Sequence, residues 1–163
     1  MADDVFPDRD MDHRDKIAWI VEQNGWAAEP VAPVEEPEPR PGYTYSIGFE
    51  STFGRPEVVI FGLQGVAARG LLGMIADQYG GGVDLPVGGV FVGLLESDLP
   101  CCLLHVDVAA YRTLFPDAVA FHGDHPFRVE QFVWPDKGGR LPWDEGYDER
   151  LRLAQPVIGT WDT

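Results

Sequence analysis

The run Glu57-Val-Val-Ile-Phe-Gly-Leu63 constrains the fold more than any other segment. Almost everything after the glutamate is apolar, so neither face can be left to water, and the segment reads as a central strand. The next residues, GVAARGLLGMIADQY (65–79), place Ala68, Leu72, Ile75 and Tyr79 on one face at helical spacing. Ala67, Leu71 and Met74 widen that face, which predicts a heavily buried helix ended by the glycines at 80–82.

The remaining elements follow from local signals. Asp12 has the character of an N-cap, Asp15 sits in the first turn, and Ile17, Ile20, Val21 and Asn24 share a face. Asn24-Gly25 supplies a stop, so a helix is expected over 13–24. Residues 30–42 hold five prolines and three glutamates, which excludes a central strand and predicts an extended loop. Strands are expected over 43–49, 90–96, 102–106 and 127–134, with a turn around Gly54. Asp107 can cap a short helix through Leu114, and another short helix is expected at 147–154. In 127–134, Phe127, Val129, Gln131 and Val133 alternate with Arg128, Glu130, Phe132 and Trp134, a strand with mixed faces. The order does not alternate strictly as strand and helix, which disfavours a doubly wound parallel sheet. The expected class is α+β: a mainly antiparallel sheet with two principal helices packed on it, in a single domain over 12–163. The acidic residues 1–11 are expected to be a mobile N-terminus.

Charge narrows the partners. The formal net charge is −15, whereas nucleic-acid binding calls for a basic surface that displaces counterions. Neither DNA, RNA nor an anionic lipid surface is an expected partner. The charge serves solubility or steers a cationic ligand or basic protein. The two cysteines, Cys101 and Cys102, are adjacent, which disfavours a bridge between them and points to a reducing, cytoplasmic setting. No secretory segment opens the sequence and no apolar run reaches about 18 residues.

Several residue groups carry candidate chemistry. His122-Gly-Asp-His125, with His105 joining from a strand, offers metal ligands in His105, His122, Asp124 and His125, but its spacing matches no established metal motif. A solvated turn accounts for it equally, and no metal is expected. Cys101 and His105 would lie four residues, about 13 Å, apart along a strand, beyond hydrogen-bond reach. Gly80-Gly-Gly82 follows a helix instead of opening one, so it is no phosphate loop. The most informative stretch is Gln131-Phe-Val-Trp-Pro-Asp-Lys-Gly-Gly-Arg-Leu-Pro-Trp-Asp144. Two tryptophans, an amide and two carboxylates can line a small-molecule pocket. They can equally form a structural clasp in which aspartates cap turns and indoles cover the sheet end.

At this box the sequence resembles the bacterial domain of unknown function 4262. The matching elements are Gly25-Trp26, Tyr43-Thr44 with Gly48, Pro56-Glu57 and Gly62-Leu63, then Gln131, Trp134-Pro135-Asp136, Gly139, Pro142-Trp143 and Gln155-Pro156. The likeness spans about residues 12–160. The family often carries a histidine just before Pro-Glu; Arg55 stands there in this chain, so no role of that histidine carries over. The resemblance implies a bacterial domain and names no reaction and no cofactor.

The leading expectation is a ligand-binding domain, with catalysis left open, whose site joins the tryptophan loop to Tyr43, Thr44 and Glu57. Its candidate residues are Tyr43, Thr44, Glu57, Gln131, Trp134, Asp136, Trp143 and Asp144. Glu57 is either a partly buried carboxylate tuned toward a base or a surface residue at a strand start. The alternative function is a non-catalytic interaction module whose acidic surface meets a basic protein.

Overall fold

A computed structural model describes residues 11–161, so the acidic opening segment lies, apart from Met11, outside the described residues. The element order is α1 (His13–Asn24), β1 (Ala27–Val31), β2 (Tyr43–Ile47), α2 (Phe49–Phe53), β3 (Glu57–Phe61) and α3 (Gly65–Gly80). Then follow β4 (Val90–Phe91), β5 (Cys101–Val106), α4 (Val108–Tyr111), α5 (Pro116–His122) and β6 (Val129–Val133). Short 3-10 turns lie at Glu96–Asp98, Arg112–Leu114 and Glu149–Leu151.

The strands form one six-stranded sheet in the order β1-β2-β3-β6-β5-β4. The β3–β6 pairing is parallel and the other neighbours are antiparallel. The class is therefore α+β with a mostly antiparallel sheet. The parallel join lies at the centre, where both strands are buried throughout, as expected for the Val- and Ile-rich β3.

Helices cover both faces of the sheet. On one face Ile17 and Val21 of α1, with Phe115 and Ala118 beside them, pack on Tyr45, Val59 and Val129. On the other, Ala68, Leu72 and Ile75 of α3 pack on Val58, Ile60, Leu103 and Phe132. Leu72 and Ile75 are fully buried, each removing apolar surface that contributes about 1.5–3 kcal/mol. The helices number more than the two principal ones expected: α4 falls where Asp107 was expected to open a short helix, whereas α2 and α5 are short ones that sequence periodicity does not mark.

Local chemistry explains the ends of the elements. Asp12 accepts from the Asp15 N–H, and Gly25 closes α1 in the left-handed conformation at φ 89°. Asp107 accepts from the N–H groups of Ala109 and Ala110, opening α4. β1 departs from the expected loop: Pro30 sits in a strand, paired opposite Thr44. The strand is at the sheet edge, where a missing N–H leaves no ladder bond unmade. The strand expected over 90–96 shrinks to Val90–Phe91, followed by turns.

Candidate functional site

The structure brings the sequence-derived candidates to several separate places. Around the tryptophan loop, hydrogen bonds run within the chain. The Trp134 indole Nε1–H donates to the Phe61 carbonyl at 2.8 Å, and its backbone N–H donates to Gln155 Oε1 at 2.9 Å. Gln131 Nε2 donates to the Pro156 carbonyl, while its Oε1 accepts from the N–H groups of Ile158 and Gly159. Asp136 accepts three backbone N–H groups, from Gly138, Arg140 and Asp148, at 2.9 to 3.0 Å. These bonds, Arg140's foremost, hold the Asp136 carboxyl below the ordinary carboxylate range. Asp144 accepts from the Leu141 N–H, and Trp143 lies exposed with its ring against Trp161 at 4.7 Å. This geometry has the features of a clasp that pins residues 155–159 to the end of β6.

That pattern ranks the two aspartates. Asp136→Ala orphans three buried-side donors and Asp144→Ala only one, so a urea or thermal melt should show the larger loss for Asp136→Ala. A fall of several degrees is expected for Asp136→Ala and about half as much or less for Asp144→Ala. Equal losses, or a gain for either variant, would contradict the clasp geometry.

Tyr43 and Thr44 are buried in β2; the Tyr43 hydroxyl donates to the Leu114 carbonyl at 2.8 Å. Glu57 occupies a separate place. It is 1% exposed, and its Oε1 accepts from Ser46 Oγ–H at 2.8 Å and the Phe49 N–H at 3.0 Å. Its Oε2 accepts from the N–H groups of Gly48 at 3.0 Å and Glu50 at 3.4 Å, and His122 Nε2 lies 2.8 Å away. The carboxylate thus gathers the free N–H groups where β2 turns into α2. Gly48 makes this turn at φ +116°, and a Cβ there would stand 2.6 Å from the Gly25 carbonyl oxygen.

His122 is buried at the end of α5 instead of lying in a solvated turn, and its ring stacks on Phe127 at 4.6 Å. Among the described residues His105, His122, Asp124 and His125 do not converge on a common point, whereas ligand atoms of His13, Glu29 and Asp117 lie within 4.8 Å of one another. That trio is already paired within the chain: Arg14 Nε donates to Asp117 at 3.0 Å and His13 Nε2 lies 2.8 Å from Glu29. Burial pushes the Glu29 carboxyl up to about 7. Cys101 and Cys102 are free and buried, and burial raises their thiols to about 12 and about 11, away from the reactive thiolate.

A cleft of about 1020 Å³ opens elsewhere, where β3 and β6 begin and β5 ends. None of the candidates named around the tryptophan loop lines it; its polar lining includes Arg55, Tyr79, Asp84, His105, Arg128 and Glu130. Glu130 is 2% exposed, and its Oε1 is, among the described residues, the buried side-chain polar atom without a hydrogen-bond partner. Burial lifts its carboxyl to about 7, with Arg128 opposing and Glu50 adding to the rise. Register sets His105 of β5 directly opposite Glu130, on the same face of the sheet. A carboxyl raised to about 7 can accept or donate a proton at neutral pH. The sequence signal for Glu130 was a charge sharing a strand face with Phe132 and Trp134.

The fold and the cleft define a mixed-sheet α+β protein with an acidic residue buried in the wall of an open pocket. The chain belongs to the domain of unknown function (DUF4262) family, whose model matches residues 20–148. No curated protein and no solved structure matches it significantly. Among the described residues no helix is long and apolar enough to cross a membrane.

Proposed function

We propose that this chain is a small-molecule-binding domain of the bacterial cytoplasm, a single unit over residues 12–163, with its site in the Glu130 cleft. One observation carries the reading: a buried carboxyl oxygen without a partner, set in the wall of a cavity large enough for a small organic molecule. Folding alone gives no return for such a group, and proteins retain unfavourable groups where function needs them. Proton transfer by Glu130, with His105 opposite, is the chemistry this site is equipped to perform. The reading moves the ligand away from the tryptophan loop, whose polar groups are spent on the chain itself.

A fragment screen followed by amide NMR tests this. Hits should cluster on the signals of Val106, Val108 and Val129, which line the cleft. Hits that gather instead at Trp134–Asp144, or scatter over the surface, would refute it.

The interaction-module reading is favoured by a different observation, the exposed ring pair Trp143 and Trp161. Poly-lysine that moves their indole signals and leaves the cleft unmoved would support it over the cleft.

A further inference from the structure

The charges around the cleft decide what kind of ligand it can hold. Both arginines in its lining are already committed. Arg55 pairs with Asp84, and Arg128 grips Glu50 through Nε at 3.0 Å and Nη2 at 2.6 Å while also donating to the Gly54 carbonyl. Asp107 spends its carboxylate on the first turn of α4. No arginine is therefore free to receive an anion, whereas Glu130 offers a buried acceptor with nothing bound to it. Leu85, Val87 and Phe127 provide apolar wall beside it. The net charge of −15 adds a long-range attraction for cations.

We infer that the cleft takes a small ammonium ligand, a primary or secondary amine on a short apolar body, with its nitrogen at Glu130. This rests on the cleft being the site. An ammonium N–H supplies the missing partner of Oε1, and the charge-assisted bond is stronger in a walled cleft than in open water. An anionic ligand would meet the Glu130 carboxylate while both lining arginines are already paired. The groups facing Glu130 are His105 from β5, Tyr79 from α3, Arg128 two residues before it, and Glu50 from α2; Val58 of β3 is its apolar neighbour. Because burial holds the carboxyl near 7, it is partly protonated at neutral pH. Binding an ammonium favours the carboxylate, so the proton leaves for solvent as the ligand enters.

Three probes of one shape and different charge test the inference: benzylamine, benzyl alcohol and phenylacetate, titrated at pH 7 against the whole chain and Glu130→Gln. The amide signals of 105–108 and 127–130 report binding, and calorimetry in two buffers of different ionisation enthalpy reports protons. Benzylamine should bind the wild type about tenfold or more tightly than benzyl alcohol, with proton release, and phenylacetate should not bind. Glu130→Gln should lose both the preference and the proton release. Equal or better binding of benzyl alcohol or phenylacetate in the cleft overturns the ammonium inference and leaves the cleft as the site. Amine binding unaltered in Glu130→Gln also overturns it. Silence of the cleft signals toward all three probes overturns the inference and the cleft reading together.

Discussion

Glu57→Ala is expected to destabilise the protein by about 3–5 kcal/mol in urea melts at neutral pH. The side chain is 1% exposed and serves Ser46, Gly48, Phe49 and Glu50 as acceptor while lying against His122. Removing it leaves those buried donors without a partner, and each orphaned group costs about 1–3 kcal/mol before relaxation and water entry. The consequences reach three elements, because the same carboxylate fixes the start of α2, the end of β2 and the histidine that closes α5. Glu57→Gln, which keeps one acceptor oxygen, should lose less. A loss below about 1 kcal/mol for the alanine variant would mean that Glu57 is not the keystone the geometry describes, and would return it to candidacy as a base held for chemistry.

Glu130→Gln should have a pH signature that no other substitution here shares. In the unfolded chain this carboxyl releases its proton near its ordinary 4.5; in the fold it keeps the proton to about 7. Between those values the folded state binds more protons than the unfolded state. Stability from this group therefore falls as pH rises through the window, and is fully lost above it. The wild type should lose about 3 kcal/mol relative to Glu130→Gln between pH 4 and pH 8, an upper figure because water entering the cleft softens burial. Comparing the two proteins at each pH cancels the other titrating groups. A difference in stability that stays flat from pH 4 to pH 8 would show that Glu130 is not buried as described.

Much of the scaffold was legible in the sequence because its causes are local. The Asp12 cap and the Gly25 stop bound α1, and the apolar face of 65–79 marks α3. The apolar runs of β3 and β5 needed only composition and length to be recognised. What escaped has tertiary causes. α2 forms because a carboxylate from β3 collects the N–H groups at its start, and no window around Phe49–Phe53 contains that information. α5 opens on Pro116, at the first-turn position where a missing N–H costs nothing, and ends on a histidine whose partner is 65 residues away. The tryptophan box stood out by composition, but composition does not say whether a polar group faces a ligand or a neighbouring loop. Glu130 drew no notice because a glutamate in a strand usually faces water; only the pairing of β6 with β3 and β5, under the Tyr79 end of α3, buries it.

The two outer strands of the sheet bear on how this protein shares a crowded solution with its own copies. An open sheet ends in unpaired N–H and C=O groups that can recruit another strand and start a fibre. Here one border carries Pro30, which has no N–H to offer, next to the acidic Glu29. The other border carries the two-residue strand Val90–Phe91, too short to template a partner over a useful length, and the β5 backbone beyond it bonds to Gly88 and Thr160. Growth of the sheet from molecule to molecule is thus discouraged at both sides, so the valines left exposed near β4 can be tolerated without turning the border into a nucleus for aggregation.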